Sequence, residues 1–203
     1  MVHTRFQPVL LVLLVLCLVT AARPQDVHSS ALNTSGKIAF DGHLTPYLIR
    51  HLPVNAFPQL PPPVQEVLTR RGCLIPQTYE AHQPENVVHA SLQGPGSTDW
   101  AVLCTVNGTV SLLVFFSTNY ASPATLATAP KTERLQSHGS NGVLGFNWGI
   151  DPASPEQVHQ AQMGMRHPPP RIDHDALADS IIDQHTIYHF YSGNAWTPLD
   201  TED

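Results

Sequence analysis

Residues 98–116, reading TDWAVLCTVNGTVSLLVFF, constrain the fold of this chain more than any other stretch. Before the central Asn107-Gly108, Trp100, Val102, Cys104 and Val106 fall on one face of an extended strand, with Asp99, Ala101, Leu103 and Thr105 on the other. After it, Val110, Leu112, Val114 and Phe116 alternate with Ser111, Leu113 and Phe115. Strands apolar on nearly both faces need cover on both sides, which puts the pair at the centre of a sheet. Asn-Gly supplies positive φ at both central positions of a type I′ turn, and that turn sets the hairpin register. Residues 86–93, with Val87, Val88, Ala90 and Leu92, add a third strand set off by Gly94-Pro95-Gly96. Together they predict a meander.

Three other stretches have helical spacing. Val64, Val67, Leu68 and Arg71 follow Pro61-Pro62-Pro63 and precede Gly72, with proline at the start and glycine past the end. Ser154-Pro155-Glu156-Gln157 forms a capping box ahead of Val158, Ala161 and Met165, and Pro168-Pro169-Pro170 stops that helix. Asp173 and Asp175 sit where a third helix would begin, favourable against its dipole, with Leu177, Ala178, Ile181 and Ile182 as its apolar side. Residues 142–150 read as a strand weakened by glycines. A terminal hairpin follows, from residues 186–191 and 195–199 around Ser192-Gly193-Asn194. Residues 40–60, broken by Pro46, Pro53 and Pro58, read as an extended segment lying across the domain. Residues 117–142 read as a long surface excursion with a short helical turn. The expectation is a single α+β domain over residues 40–203: an antiparallel sheet, a meander around the Asn107-Gly108 hairpin, with about three helices.

Residues 1–22 are excluded from that domain as a signal peptide. Arg5 supplies a positive start, residues 9–19 are an apolar run too short to span a bilayer, and Val19-Thr20-Ala21-Ala22 offers small residues for cleavage. Leu16 stands where a lipobox would need a small residue, which argues against lipidation of Cys17. Residues 23–39 read as a flexible leader. Asn33-Thr34-Ser35 and Asn107-Gly108-Thr109 match the glycosylation sequon, a match without meaning in a bacterial host. Cleavage would remove Arg5 alone among the charges, leaving nine Lys and Arg against sixteen Asp and Glu, a formal charge of −7. An acidic chain with no basic cluster is not built for nucleic acid or an anionic membrane surface. No integral membrane segment is expected in the mature chain. Cys73 and Cys104 remain, and in an oxidising compartment an even pair reads as a disulfide. The expected location is secreted or periplasmic.

Twelve histidines invite a metal hypothesis. In the C-terminal half His174, His185 and His189 accompany Asp173 and Asp175, with His159, His167, Asp179 and Asp183 nearby. His185 and His189 lie four apart, but HTIYH lacks a metalloprotease glutamate, and a metal needs three or four convergent ligands. Asp173-His174-Asp175 would suit a hydrolase base and its orienter, yet no G-x-S-x-G elbow supplies a nucleophile. A helix cap and surface histidines account for the same residues. No catalytic residue, metal or cofactor is therefore assigned, and the five residues stay as metal candidates. Trp100, Trp148 and Trp196 read first as core, with an aromatic groove for a glycan or peptide as the alternative.

Arg71-Gly72-Cys73-Leu74-Ile75-Pro76-Gln77, then Asn86-Val87-Val88-His89, then residues 96–104 (GSTDWAVLC) resemble a group of exported bacterial proteins of unassigned function. Their recurrent pattern is R-G-C-x-I-P-Q, N-V-I, and G-x-x-D-W-A-V-L-C before a strand ending V-F. Asp173-His174-Asp175 and Trp196 look similar to that group too. The resemblance implies no catalytic residue. A weaker likeness runs to FG-GAP propeller blades, without their calcium loop. The expectation is a non-enzymatic exported protein that binds an envelope or extracellular partner. The alternatives are a hydrolase or metal-dependent enzyme using the C-terminal Asp/His cluster, and an inhibitor of cell-wall-degrading enzymes.

Overall fold

The computed structural model describes residues 32–163, 165 and 168–200. The expected signal peptide, Cys17, residues 23–31 of the expected leader and His167 lie outside the described residues. The elements in chain order are β1 (Leu32–Phe40), β2 (His43–Pro53), α1 (Pro62–Arg70), β3 (Leu74–Gln77), β4 (Val87–Ala90), β5 (Asp99–Val106), β6 (Thr109–Phe116) and β7 (Asn119–Pro130). They continue with β8 (Leu135–Ser137), β9 (Leu144–Phe146), β10 (Trp148–Ala153), α2 (Pro155–Gln162), β11 (Ala176–Ile181), β12 (His185–Ser192) and β13 (Ala195–Asp200).

Two sheets hold these strands. The larger runs β7-β6-β5-β3-β2-β9-β8, with β1 paired to β2 and β4 to β5, and the smaller runs β10-β11-β12-β13. The β5–β6 hairpin turns at Asn107 (φ 49°) and Gly108 (φ 85°), and its register runs from Val106 opposite Thr109 to Trp100 opposite Phe115. Val102, Cys104, Leu113 and Phe115 pack on one face beneath Phe57, Leu60, Val64 and Leu68, residues of α1 and the segment leading into it. Ala101, Leu103, Leu112 and Val114 pack on the other face, against Trp148, Ile150, Leu177 and Ile181 of the smaller sheet. The far face of that smaller sheet carries Ala153, Ala176, Phe190 and Leu199, covered by Val158 of α2. Each large apolar side chain so buried stabilises the fold by about 1.5–3 kcal/mol.

Both helices with proline near their starts form where expected. Gly72, at φ 70, turns the chain out of α1. Cys73, the next residue, forms a disulfide with Cys104 of β5, with Cα atoms 5.4 Å apart. Ser154 accepts the Gln157 N–H while Gln157 accepts the Ser154 N–H, completing the capping box of α2.

The α+β expectation is corrected. The protein is a β-rich sandwich: 53% of the described residues lie in strands and 14% in helices, with two α-helices among them instead of about three. The third helix is β11, in which Leu177, Asp179 and Ile181 share the inner face. Residues 117–142 hold the twelve-residue edge strand β7 instead of a surface excursion. Pro123 and Pro130 are tolerated there because an edge strand leaves one row of N–H groups unpaired. Residues 32–39, expected within the flexible leader, form β1, and residues 43–53 of the expected extended segment form β2, paired with β1 along its length. The strand expected over residues 142–150 is split into β9 and β10, which belong to different sheets.

Candidate functional site

A cleft opens where β2, the 78–86 loop and the 138–143 loop meet. It has a volume of about 290 Å³ and is lined by Leu48, Arg50, Gln77, Thr78, Tyr79, Ala81, His138, Asn141, Val143 and Phe146. Its loops are braced from below. The buried Gln77 side chain donates to the Glu85 carbonyl and accepts the Glu85 N–H, both at 3.0 Å. The Glu85 carboxylate accepts the Thr78 N–H at 2.7 Å, closing the loop on itself. The Tyr79 N–H then donates to the Phe146 carbonyl at 2.9 Å, tying the loop to β9.

Tyr79 stacks on His138, with ring centroids 4.5 Å apart and planes 11° from parallel. Gly145 lies beneath this pair. A Cβ there would come within 2.5 Å of Tyr79 Cβ and 2.7 Å of the His138 ring, so a side chain at 145 would displace both. Arg50 donates through Nη2 to the Ala81 carbonyl at 2.7 Å, which points its guanidinium across the loop. The Tyr79 hydroxyl accepts from Gln136 Nε2 at 2.6 Å and donates to Asp183 Oδ2 at 3.3 Å. Loss of solvent, then the charges of Glu80 and Asp183, push the Tyr79 phenol above its usual range, so it stays a neutral donor.

The C-terminal candidates do not gather. His174 places Nδ1 3.1 Å from Asp173 Oδ1 and Nε2 2.9 Å from the Tyr191 carbonyl oxygen. Tyr191 stands six residues from His185 along β12, about 20 Å at strand rise. Asp175 turns to the larger sheet, accepting the Ser91 N–H at 2.9 Å. His189 lies 3.0 Å from Asp179, whose other oxygen accepts from Trp148 Nε1, all three side chains being buried. Among the described residues no group of three or more His, Cys, Asp or Glu is placed to hold a metal ion. Asp173 and Asp175 cap no helix, because none forms there.

The chain matches no family model, no curated protein and no solved structure.

The tryptophans split as the sequence left open. Trp100 and Trp148 are buried, whereas Trp196 is half-buried and stacks on Phe116 at 5.7 Å, with Tyr191 edge-on to both. Arg50, Tyr79, His138 and Gly145 were missed in the sequence. They come from separate segments, and none stands in a motif. Residues of both shared patterns turn out to hold loops: Gln77, of R-G-C-x-I-P-Q, braces the cleft, and Asp99, of G-x-x-D-W-A-V-L-C, accepts the N–H groups of Leu92, Gln93 and Ser117 and the Ser97 hydroxyl.

Proposed function

We propose that the chain is an exported, non-enzymatic binding protein whose ligand site is the cleft of Arg50, Tyr79 and His138. The observation that carries this reading is the Tyr79–His138 stack seated on Gly145. A side chain is excluded at 145, so a preformed aromatic wall stands beside a guanidinium at the mouth of a partly apolar cavity. Binding sites combine an apolar body with a few fixed polar groups in this way. Among the described residues the C-terminal Asp/His candidates do not gather, which supports the binding reading over the hydrolase or metalloenzyme alternative.

Export is supported by the Cys73–Cys104 disulfide, which suits an oxidising compartment. No helix among the described residues is long and apolar enough to cross a membrane. Kinship with the exported bacterial group stays part of the proposal. It is supported by the structural work of the shared residues: Cys73, Gln77, Asn86, Asp99 and Cys104 hold the fold, so the pattern reads as shared architecture.

The test is a fragment titration of the exported chain followed by amide and aromatic NMR. Shifts gathered at Tyr79, His138 and Gly145 are expected. Shifts gathered at the Phe116–Tyr191–Trp196 cluster, with the cleft silent, would move the site elsewhere and sink this reading.

A further inference from the structure

The cleft has a sharper chemical character than its shape alone conveys. Arg50 is the one Lys, Arg, Asp or Glu among its lining residues, so a single cation faces the cavity in a chain of net charge −6. Glu85 stands close by in sequence, but its carboxylate is turned to the Thr78 N–H at 2.7 Å. Asp183, which is not among the lining residues, accepts from the Tyr79 hydroxyl at 3.3 Å. One guanidinium N–H is spent on the Ala81 carbonyl, which fixes the side chain's direction and lowers the entropy lost when the remaining donors take a ligand.

The rest of the lining suits a compact body. Leu48, 47% exposed, Val143 and Phe146 give apolar surface, and the Tyr79–His138 pair gives a flat one. A volume of about 290 Å³ lies at the small end of ligand sites, room for a ring or a short branched chain. Because the Tyr79 hydroxyl is already paired with Gln136 and Asp183, that residue offers its ring rather than its oxygen.

We propose that the cleft binds a small organic carboxylate, with Arg50 taking the carboxylate and the Tyr79–His138 pair, Val143 and Leu48 flanking an apolar or aromatic body. This rests on the cleft being the binding site. Arginine meets a carboxylate through two parallel N–H bonds, whereas a neutral amide of the same shape offers it one acceptor only. The site therefore discriminates by charge more than by size.

The experiment compares benzoate, phenylacetate and hexanoate with their primary amides by calorimetry and NMR on the exported chain. At least one acid is expected to bind saturably, about tenfold or more tighter than its amide, and more weakly as salt rises. In Arg50→Gln the preference of acid over amide falls to about one. In Gly145→Ala both partners of the pair lose affinity, since the added Cβ displaces the aromatic wall. Should Gly145→Ala fail to fold, His138→Ala tests the same wall from the exposed side. Amides that bind as tightly as acids, or acids that bind Arg50→Gln unchanged, overturn the carboxylate assignment and leave the cleft standing as a site. If no acid and no fragment shifts the cleft resonances, both readings fall.

Discussion

Asn86 Oδ1 accepts the backbone N–H of Ile150 at 3.1 Å, joining the β3–β4 connection of the larger sheet to β10 of the smaller. The same side chain donates to the carbonyls of Pro76 at 2.8 Å and Trp148 at 3.3 Å. It does so from a left-handed backbone, φ 67, while 2% exposed. Asn86→Ala is expected to lose about 3 kcal/mol, from unpaired buried groups plus backbone strain. Asn86→Gly deletes the same side chain but carries no backbone strain at this φ, and should still lose about 2 kcal/mol. Urea midpoints of the two variants separate the contributions. A glycine variant as stable as wild type would show that the side chain contributes nothing.

Asp99 is fully buried, and its four donors come from both the 91–97 loop and the turn at Ser117. Asp99→Asn turns an amide donor toward groups that are themselves donors. A loss of about 2–4 kcal/mol in urea unfolding is expected. Protection of the Leu92, Gln93 or Ser117 amides against hydrogen exchange should fall as well, and unaltered protection at all three would contradict the assignment.

The Cys73–Cys104 bond spans 31 residues. On loop entropy alone its removal costs about 3.5 kcal/mol. A double Cys73→Ala, Cys104→Ala variant should show that loss. Peptide mapping of the unreduced protein should recover the two cysteines as one linked species, and free thiols at both would contradict it.

His51 is 2% exposed, its Nδ1 lies 3.3 Å from the Leu32 carbonyl oxygen, and its Nε2 has no hydrogen-bond partner among the described residues. Burial pushes its pKa below the ordinary 6.5; the nearby Lys131 charge adds to this, and the carbonyls of Leu32 and Ile49 oppose it. The unfolded chain therefore takes up this proton at a higher pH than the folded one. Stability should fall as pH drops below about 6.5 and stop falling, on this group's account, once the folded pKa is passed. His51→Leu should flatten that part of the curve, read as urea midpoints across the range. Parallel curves for the two proteins would rule His51 out as the source.

How far the chain can be read without coordinates depends on whether its signals are local. The β5–β6 hairpin, both proline-led helices and the Ser154 capping box were legible, because turn chemistry, capping and two-sided apolar alternation lie within a few neighbouring residues. β11 was not. Its inner face is Leu177, Asp179 and Ile181, and a buried aspartate breaks the apolar period of two while Leu177, Ala178, Ile181 and Ile182 imitate a helix. Asp179 can sit there only because Trp148 and His189, from neighbouring strands, satisfy it. β7 was hidden for a related reason: its Ala, Ser, Thr and Pro carry little hydrophobic signal, and it is a strand because β6 offers it a ladder.

By itself the sequence determined the central hairpin, the starts of α1 and α2, and the pairing of Cys73 with Cys104 as the expected bridge. Only the tertiary structure decided that the chain is a two-sheet sandwich, and that Arg50, Tyr79, His138 and Gly145 meet at one cleft while the C-terminal histidines stay apart. The physical reason is range. Turns and caps are settled by bonds between near neighbours, whereas strand partners and cleft walls are chosen among segments tens of residues apart, by burial and hydrogen-bond satisfaction that no local pattern records.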